Sequence, residues 1–172
     1  AFIETITHSN DNSVRKWSGS RDMIDLLDIV KRYYYHPVMK GSNSIKVVLP
    51  AVMESEFIQK KYSQPIYGGK GSIKSLNFKD HIWIQKDSSG KIISPYKLLP
   101  PLFEGIDQDQ LDSFITEENL ADGGAAMTAY ARMQFTEMTA IERKKISEGL
   151  LRYCELDTLA MVMIYEYFRS EV

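Results

Sequence analysis

The chain has 172 residues, 44% hydrophobic and 26% charged, with a formal net charge of −2. That is the size and composition of one globular domain with a real core, and it excludes a disordered or collagen-like chain. A charge so near neutrality argues against sequence-independent binding of nucleic acid over the whole surface, though not against a local groove. No apolar run reaches the ~18 residues of a membrane helix, and the N-terminus has no secretory apolar region. The one cysteine, Cys154, cannot form an internal disulfide and suits a reducing cytoplasm.

In chain order, residues 1–20 are poorly defined. Phe2 to Thr7 reads as a short strand or as the tail of a helix begun upstream, and His8 to Ser20 as a polar loop. The chain opens on Ala1 rather than Met, as a matured chain or a piece of a longer protein would. Met23, Leu26, Leu27, Val30, Tyr33 and Tyr34 recur at helical spacing, so most of Asp22–Tyr35 is expected to be helical. His36-Pro37 ends that helix, because the residue before a proline is pushed out of the α region. His36 itself, beside three tyrosines, is expected to pack or cap. Ser42 and Ser44 are candidate N-caps, and Pro50 is placed to open a second helical stretch running to about Lys60, with Met53, Phe57 and Ile58 buried.

Residues 62–103 read as a loop and a β-hairpin insertion. The glycines from Tyr62 to Ser75 argue for a long loop, and Gly68-Gly69-Lys70-Gly71-Ser72 lacks the spacing of a phosphate-binding loop. Lys70, Lys74 and Lys79 make this the most basic surface of the chain. His81–Gln85 and Lys91–Ile93 read as two strands joined by a turn with Gly90 near its end, where a positive φ is wanted. If the insertion guides a single strand, those lysines supply phosphate contacts and Trp83 a base-stacking ring; the competing expectation is a structural flap.

Asp107 and Asp109 in the acidic stretch 104–122 have calcium-loop spacing, but Leu111 stands at the next ligand position and no glycine follows, so the EF-hand pattern fails. Residues 120–170 form a C-terminal helical region. Its first helix starts at Asp122-Gly123-Gly124, with Met127, Tyr130, Ala131 and Phe135 as the apolar stripe. Thr139-Ala140-Ile141-Glu142 is a capping box that launches a last helix to about Arg169, with a kink expected at Gly149.

That last helix organises the chain. Tyr153 and Asp157, four residues apart, lie on one face of it, among Leu150, Leu151, Leu156, Leu159, Ala160, Met161 and Ile164. A helix apolar nearly all round is a buried helix, so its carboxylate sits at a wet edge, is satisfied by hydrogen bonds, or holds a cation. Zinc is excluded by the scatter of His8, His36 and His81, and Cys154 reads as a small buried thiol rather than a nucleophile. Carboxylate-held Mg²⁺ is the chemistry left, and a two-metal phosphodiester site needs several acids around ions ~4 Å apart.

Tyr153-x-x-x-Asp157 resembles the third motif of the DEDD exonucleases in their tyrosine variant, which hydrolyse nucleic acids from the 3′ end. Two longer stretches, Gly41-Ser42-x-Ser44-Ile45-Lys46-x-Val48-Leu49-Pro50 and Tyr153-Cys154-x-x-Asp157-Thr158-x-Ala160-Met161, resemble the bacterial family called domain of unknown function 2779. Ala121-Asp122-Gly123-Gly124-Ala125 corresponds to a further motif of that family, and the resemblance spans Arg21 to Tyr167. It implies a ribonuclease H-like fold, with Asp157 as a metal ligand and Tyr153 orienting the attacking water. The Asp-x-Glu that opens the exonuclease pattern occurs nowhere in the chain.

The expected fold is therefore a single, incomplete α+β domain over residues 1–172, mostly helical. It would be the C-terminal half of a ribonuclease H-like unit with a β-hairpin insertion. The expected function is that of a C-terminal part of a Mg²⁺- or Mn²⁺-dependent 3′–5′ exonuclease-like hydrolase, inactive without the N-terminal remainder of the same protein. The rival is a non-catalytic helical module that binds a partner protein or nucleic acid.

Overall fold

The computed structural model describes residues 2–10, 12–65, 74–99 and 124–172. The chain divides into two compact units, Ala1–Tyr35 and His36–Val172.

In the first unit, helix α1 (Phe2–Thr5) is followed by a loop whose backbone is tied by Ser9 N–H to Trp17 C=O, Gly19 N–H to Thr7 C=O and Arg21 N–H to Thr5 C=O. Gly19 is required there, since a Cβ would lie 2.4 Å from the carbonyl oxygen of Thr5. Helix α2 (Leu26–Tyr33) starts one residue after Asp25, whose carboxylate accepts the Leu27 N–H at 2.8 Å, a standard N-cap. Val30 is the buried hydrophobic residue of this unit among those described.

The second unit begins with a 3-10 turn, Pro37–Met39, capped by His36, whose Nδ1 accepts the Val38 N–H. Helix α3 (Ile45–Val52) follows Ser44, and α4 (Glu56–Tyr62) follows Ser55, whose hydroxyl accepts the Ile58 N–H. Pro50 lies inside α3 rather than opening a helix. It removes the hydrogen bond that would reach back to Lys46, and α3 ends two residues later. Met53 and Ile58 are buried as expected, whereas Phe57 faces outward.

Helix α5 (Gly124–Phe135) packs on the long helix α6 (Ala140–Ser170), which also receives α3, α4 and a second 3-10 turn, Pro95–Leu98. The core is the buried set Val48, Leu49, Val52, Ile58, Leu156 and Met163, closed by Trp83.

The expected fold needs correction. The fold is helical and not an α+β ribonuclease H-like half: among the described residues there is no β-sheet, only the isolated bridges His8–Ser18 and Lys86–Ile92. The β-hairpin insertion is a turn around Gly90 (φ 82°), closed by Asp87 N–H to Lys91 C=O and Ile93 N–H to Gln85 C=O. Its arms never become strands. Trp83 and the next residue, Ile84, are both buried, which breaks strand alternation, and the Ile84 N–H goes to Tyr62 C=O instead of a ladder.

The stripe assigned to α5 is on the wrong face. Met127 is 72% exposed and Phe135 89%, while the small Ala129 is fully buried against Ile146, with Met133, Met138 and Leu150 around it. Ala129 is the residue that lets the two helices close up. Helix α6, apolar nearly all round, buries one face only: Leu156, Ala160 and Met163 point inward, whereas Leu151, Met161 and Cys154 are exposed.

The capping box is formed as the sequence predicts. Thr139 Oγ1 accepts the Glu142 N–H at 3.2 Å, and Glu142 Oε2 accepts the Thr139 N–H at 2.8 Å. The 31-residue helix then runs unbroken through the buried Gly149. Thr139→Ala is expected to lower stability by about 1 kcal/mol in urea melts. The Thr139 N–H and hydroxyl hold the Glu142 carboxyl below its ordinary value. The stability from that contact is therefore present above the ordinary glutamate range and lost as pH falls through the depressed value. The Thr139→Ala variant should show less of that acid loss than the wild type; equal acid loss in both would remove the cap from the account.

Candidate functional site

The residues around Tyr153 and Asp157 come from three elements. Helix α6 places the two side chains one turn apart, both half-buried. The 3-10 turn contributes Tyr96, whose hydroxyl donates to Asp157 Oδ1 at 2.6 Å and whose ring lies 5.8 Å from that of Tyr153. Helix α3 contributes Lys46. Its ammonium stands 5.3 Å from the centre of the Tyr153 ring and 5.8 Å from that of Tyr96, within cation–π range of both.

Electrostatics fix the roles of the two phenols. Burial, then the charge on Asp157, push the Tyr153 hydroxyl up to about 12. Burial and the hydrogen bond to Asp157 hold the Tyr96 hydroxyl far above the usual tyrosine range. At neutral pH both are therefore hydrogen-bond donors and neither is a phenolate base. Of the three explanations open for Asp157, the hydrogen-bonded one describes its Oδ1 oxygen.

Asp157 is one of three acids by which α6 gathers the chain. Glu155 accepts hydrogen bonds from Ser75 Oγ and, at 2.6 Å, from Asn77 Nδ2. Glu166 accepts from Lys61 Nζ at 2.6 Å and from Tyr62 Oη at 2.7 Å. Each carboxylate captures a different segment: the loop at 75–78, the 3-10 turn and the end of α4. This is how an apolar helix tolerates acids on its surface.

These residues do not make a divalent-cation site of the hydrolytic kind. Among the described residues Asp157 is the one carboxylate of its cluster, and one of its oxygens is engaged by Tyr96. Among the described residues no three of His, Cys, Asp and Glu stand close enough to share an ion. Two ions bridged by several acids cannot be held by this set.

Trp83 is 1% exposed, so it is a core residue and not a stacking platform. Its ring meets Phe78 at 5.0 Å and His81 at 4.4 Å, both edge-on, and burial lowers the pKa of His81, keeping that ring neutral. Lys74 and Lys79 are exposed. Lys70 lies outside the described residues, as do Ala121, Asp122 and Gly123 of the stretch Ala121–Ala125 and the acidic stretch with Asp107 and Asp109. Cys154 is exposed, not a buried thiol.

Sequence reading missed Tyr96, Glu155 and Glu166. Tyr96 carries no periodic signal, and only the proline before it marks a turn. The acids were legible as charges on an apolar helix, but their partners lie between 78 and 105 positions away in sequence, as Asn77 and Lys61 do.

No helix among the described residues is long and apolar enough to cross a membrane. Comparison with protein-family models, with curated proteins and with solved structures returns no match for this chain.

Proposed function

We propose that the chain is the C-terminal part of a cytoplasmic, metal-dependent 3′–5′ exonuclease-like hydrolase of nucleic acids, inactive on its own. One observation carries this. Lys46 of the first family-like stretch and Tyr153 and Asp157 of the second, more than a hundred residues apart, lie in one half-buried cluster. Charged and polar groups brought together from distant segments are where perturbed chemistry collects, although structural networks do the same. In this role Asp157 is one acid of a four-acid Mg²⁺ or Mn²⁺ site and Tyr153 orients the attacking water. The remaining acids belong to the N-terminal remainder of the protein, and a single-stranded 3′ end is the substrate.

The test uses labelled single-stranded DNA and RNA with Mg²⁺ and with Mn²⁺. The chain alone should give no shortening above a no-protein control. A longer protein that joins it to a strand carrying Asp-x-Glu should shorten the strand, and Asp157→Asn should abolish that. Shortening by the chain alone, or hydrolysis indifferent to Asp157→Asn, would overturn the proposal. The Tyr96–Asp157 bond favours a second reading, a non-catalytic module in which Asp157 is architectural. Strand binding by the longer protein without shortening selects it.

A further inference from the structure

We propose that the outward stripe of α6 is a self-association surface, on which a second copy of this chain lays its own α6 antiparallel across a two-fold axis near Thr158.

Spacing defines the stripe. Leu151, Cys154, Thr158, Met161 and Tyr165 follow one another at alternating steps of three and four residues, the repeat that keeps one seam of a helix facing a partner helix. All five are exposed, Leu151 by 54%, Met161 by 47% and Tyr165 by 46%. The opposite side of the same turns is buried through Leu156, Ala160 and Met163, so the helix is apolar on two sides and its own core covers one. Thr158 enters such a contact without stranding a donor, because its hydroxyl already donates to the Cys154 C=O at 3.0 Å.

Charge selects the occupant and its direction. Glu148 and Arg169 are exposed and stand beyond opposite ends of the stripe. Helical spacing puts both on the same flank of it. At about 1.5 Å per residue, Glu148 lies about 15 Å before Thr158 and Arg169 about 16 Å after it. A two-fold axis perpendicular to the helices keeps that flank in common. It therefore brings Glu148 to the partner's Arg169 and, by symmetry, forms the same pair at the other end. Between them Leu151 meets the partner's Tyr165. A parallel copy forms neither pair, because Glu148 and Arg169 then stay about 30 Å apart along the axis. The contact of Glu148 within its own helix does not preclude this. Lys144 Nζ is 3.9 Å from Glu148 Oε1 in a pair 78% and 50% exposed, a solvated contact that leaves the carboxylate open to a second cation.

The experiment is sedimentation velocity of the chain over a wide range of concentration. The stripe is short, so a dimer in micromolar equilibrium with monomer is expected, as for interfaces at the small end of the range. Thr158→Arg sets two like charges face to face at the axis and should weaken the dimer by about tenfold or more. Glu148→Arg and Arg169→Glu should each weaken it by about three- to tenfold, the loss of two exposed ion pairs. Glu148→Arg combined with Arg169→Glu restores opposite charges across the contact and should return the dimer to near the wild-type strength. All three positions are exposed, so the variants should keep the circular dichroism of the wild type, and a lost dimer reports the contact and not the fold.

A chain that stays monomeric at every concentration would overturn the proposal and leave the stripe to a different partner. A dimer indifferent to Thr158→Arg would overturn it too, by placing the contact on another surface. Failure of the double charge exchange to rescue the single ones would overturn the antiparallel register. Cys154 gives an independent check on direction. In the antiparallel pair the two Cys154 residues lie about 12 Å apart along the axis, beyond the ~7 Å between Cα atoms that a disulfide spans. Mild oxidation should leave the dimer uncrosslinked, and rapid Cys154 cross-linking would show a parallel pair instead.

Discussion

Trp83→Ala is expected to destabilise the second unit by about 3–5 kcal/mol, the cost of emptying a fully buried aromatic site. The ring is 1% exposed and closes the core between the edges of Phe78 and His81. Its indole N–H is buried and has no hydrogen-bond partner among the described residues. Part of what the ring contributes is therefore offset by an unsatisfied donor. Trp83→Phe keeps an aromatic ring and discards that donor, so it should cost much less than the alanine change. Urea melts of both variants decide this, with unchanged slopes showing that the midpoint shift is a stability change. The same pair separates core from strand guide. Base stacking on an aromatic ring is worth about 1–3 kcal/mol per base, so a stacking platform would lose strand affinity on truncation to alanine while folded. A buried ring has no such affinity to lose. A Trp83→Ala protein as stable as wild type would show the site to be open after all.

How much of this was legible in the sequence depends on the range of the interaction that decides each feature. Thr139 and Glu142 are three residues apart, and their capping box reads directly from the chain. Gly90 acts within one turn, and it too stands where local chemistry places it, whereas Asp25, expected within a helix from Asp22, caps one that starts at Leu26. The faces of α5 and α6 were not legible, because both helices carry apolar residues on more than one side. Which side is buried was settled by Ala129, whose small size sets the approach of its neighbour. Trp83 and Ile84 look like strand residues by composition, yet both are claimed by the core, and a backbone donor spent on Tyr62 cannot build a ladder. The pair Tyr153 and Asp157 was found by its spacing. What surrounds it, Tyr96 and Lys46, arrives from distant segments that no local pattern connects.

The second large effect is expected at Glu166. Its two oxygens accept from Lys61 at 2.6 Å and from Tyr62 at 2.7 Å, and this joins the end of α4 to α6. The side chains of Lys61 and Glu166 are 32% and 21% exposed, so the pair is screened less than a surface ion pair, and Tyr62 is fully buried. Glu166→Ala removes the acceptor from both donors at once. The expected loss is about 2–3 kcal/mol, the upper part of the range for hydrogen bonds to a charged group. Glu166→Gln should recover only part of it, since an amide offers one acceptor and presents a donor to the second partner. Lys61→Met leaves the bond from Tyr62 in place and should cost about 1 kcal/mol or less, as partly exposed ion pairs do. The order Glu166→Ala, Glu166→Gln, Lys61→Met in falling cost is the signature of a two-donor clamp. Hydrogen exchange should accelerate in Glu56–Tyr62 in the alanine variant before it does at the centre of α6. Equal costs for Lys61→Met and Glu166→Ala would mean that the ion pair alone matters and that the Tyr62 hydroxyl contributes nothing.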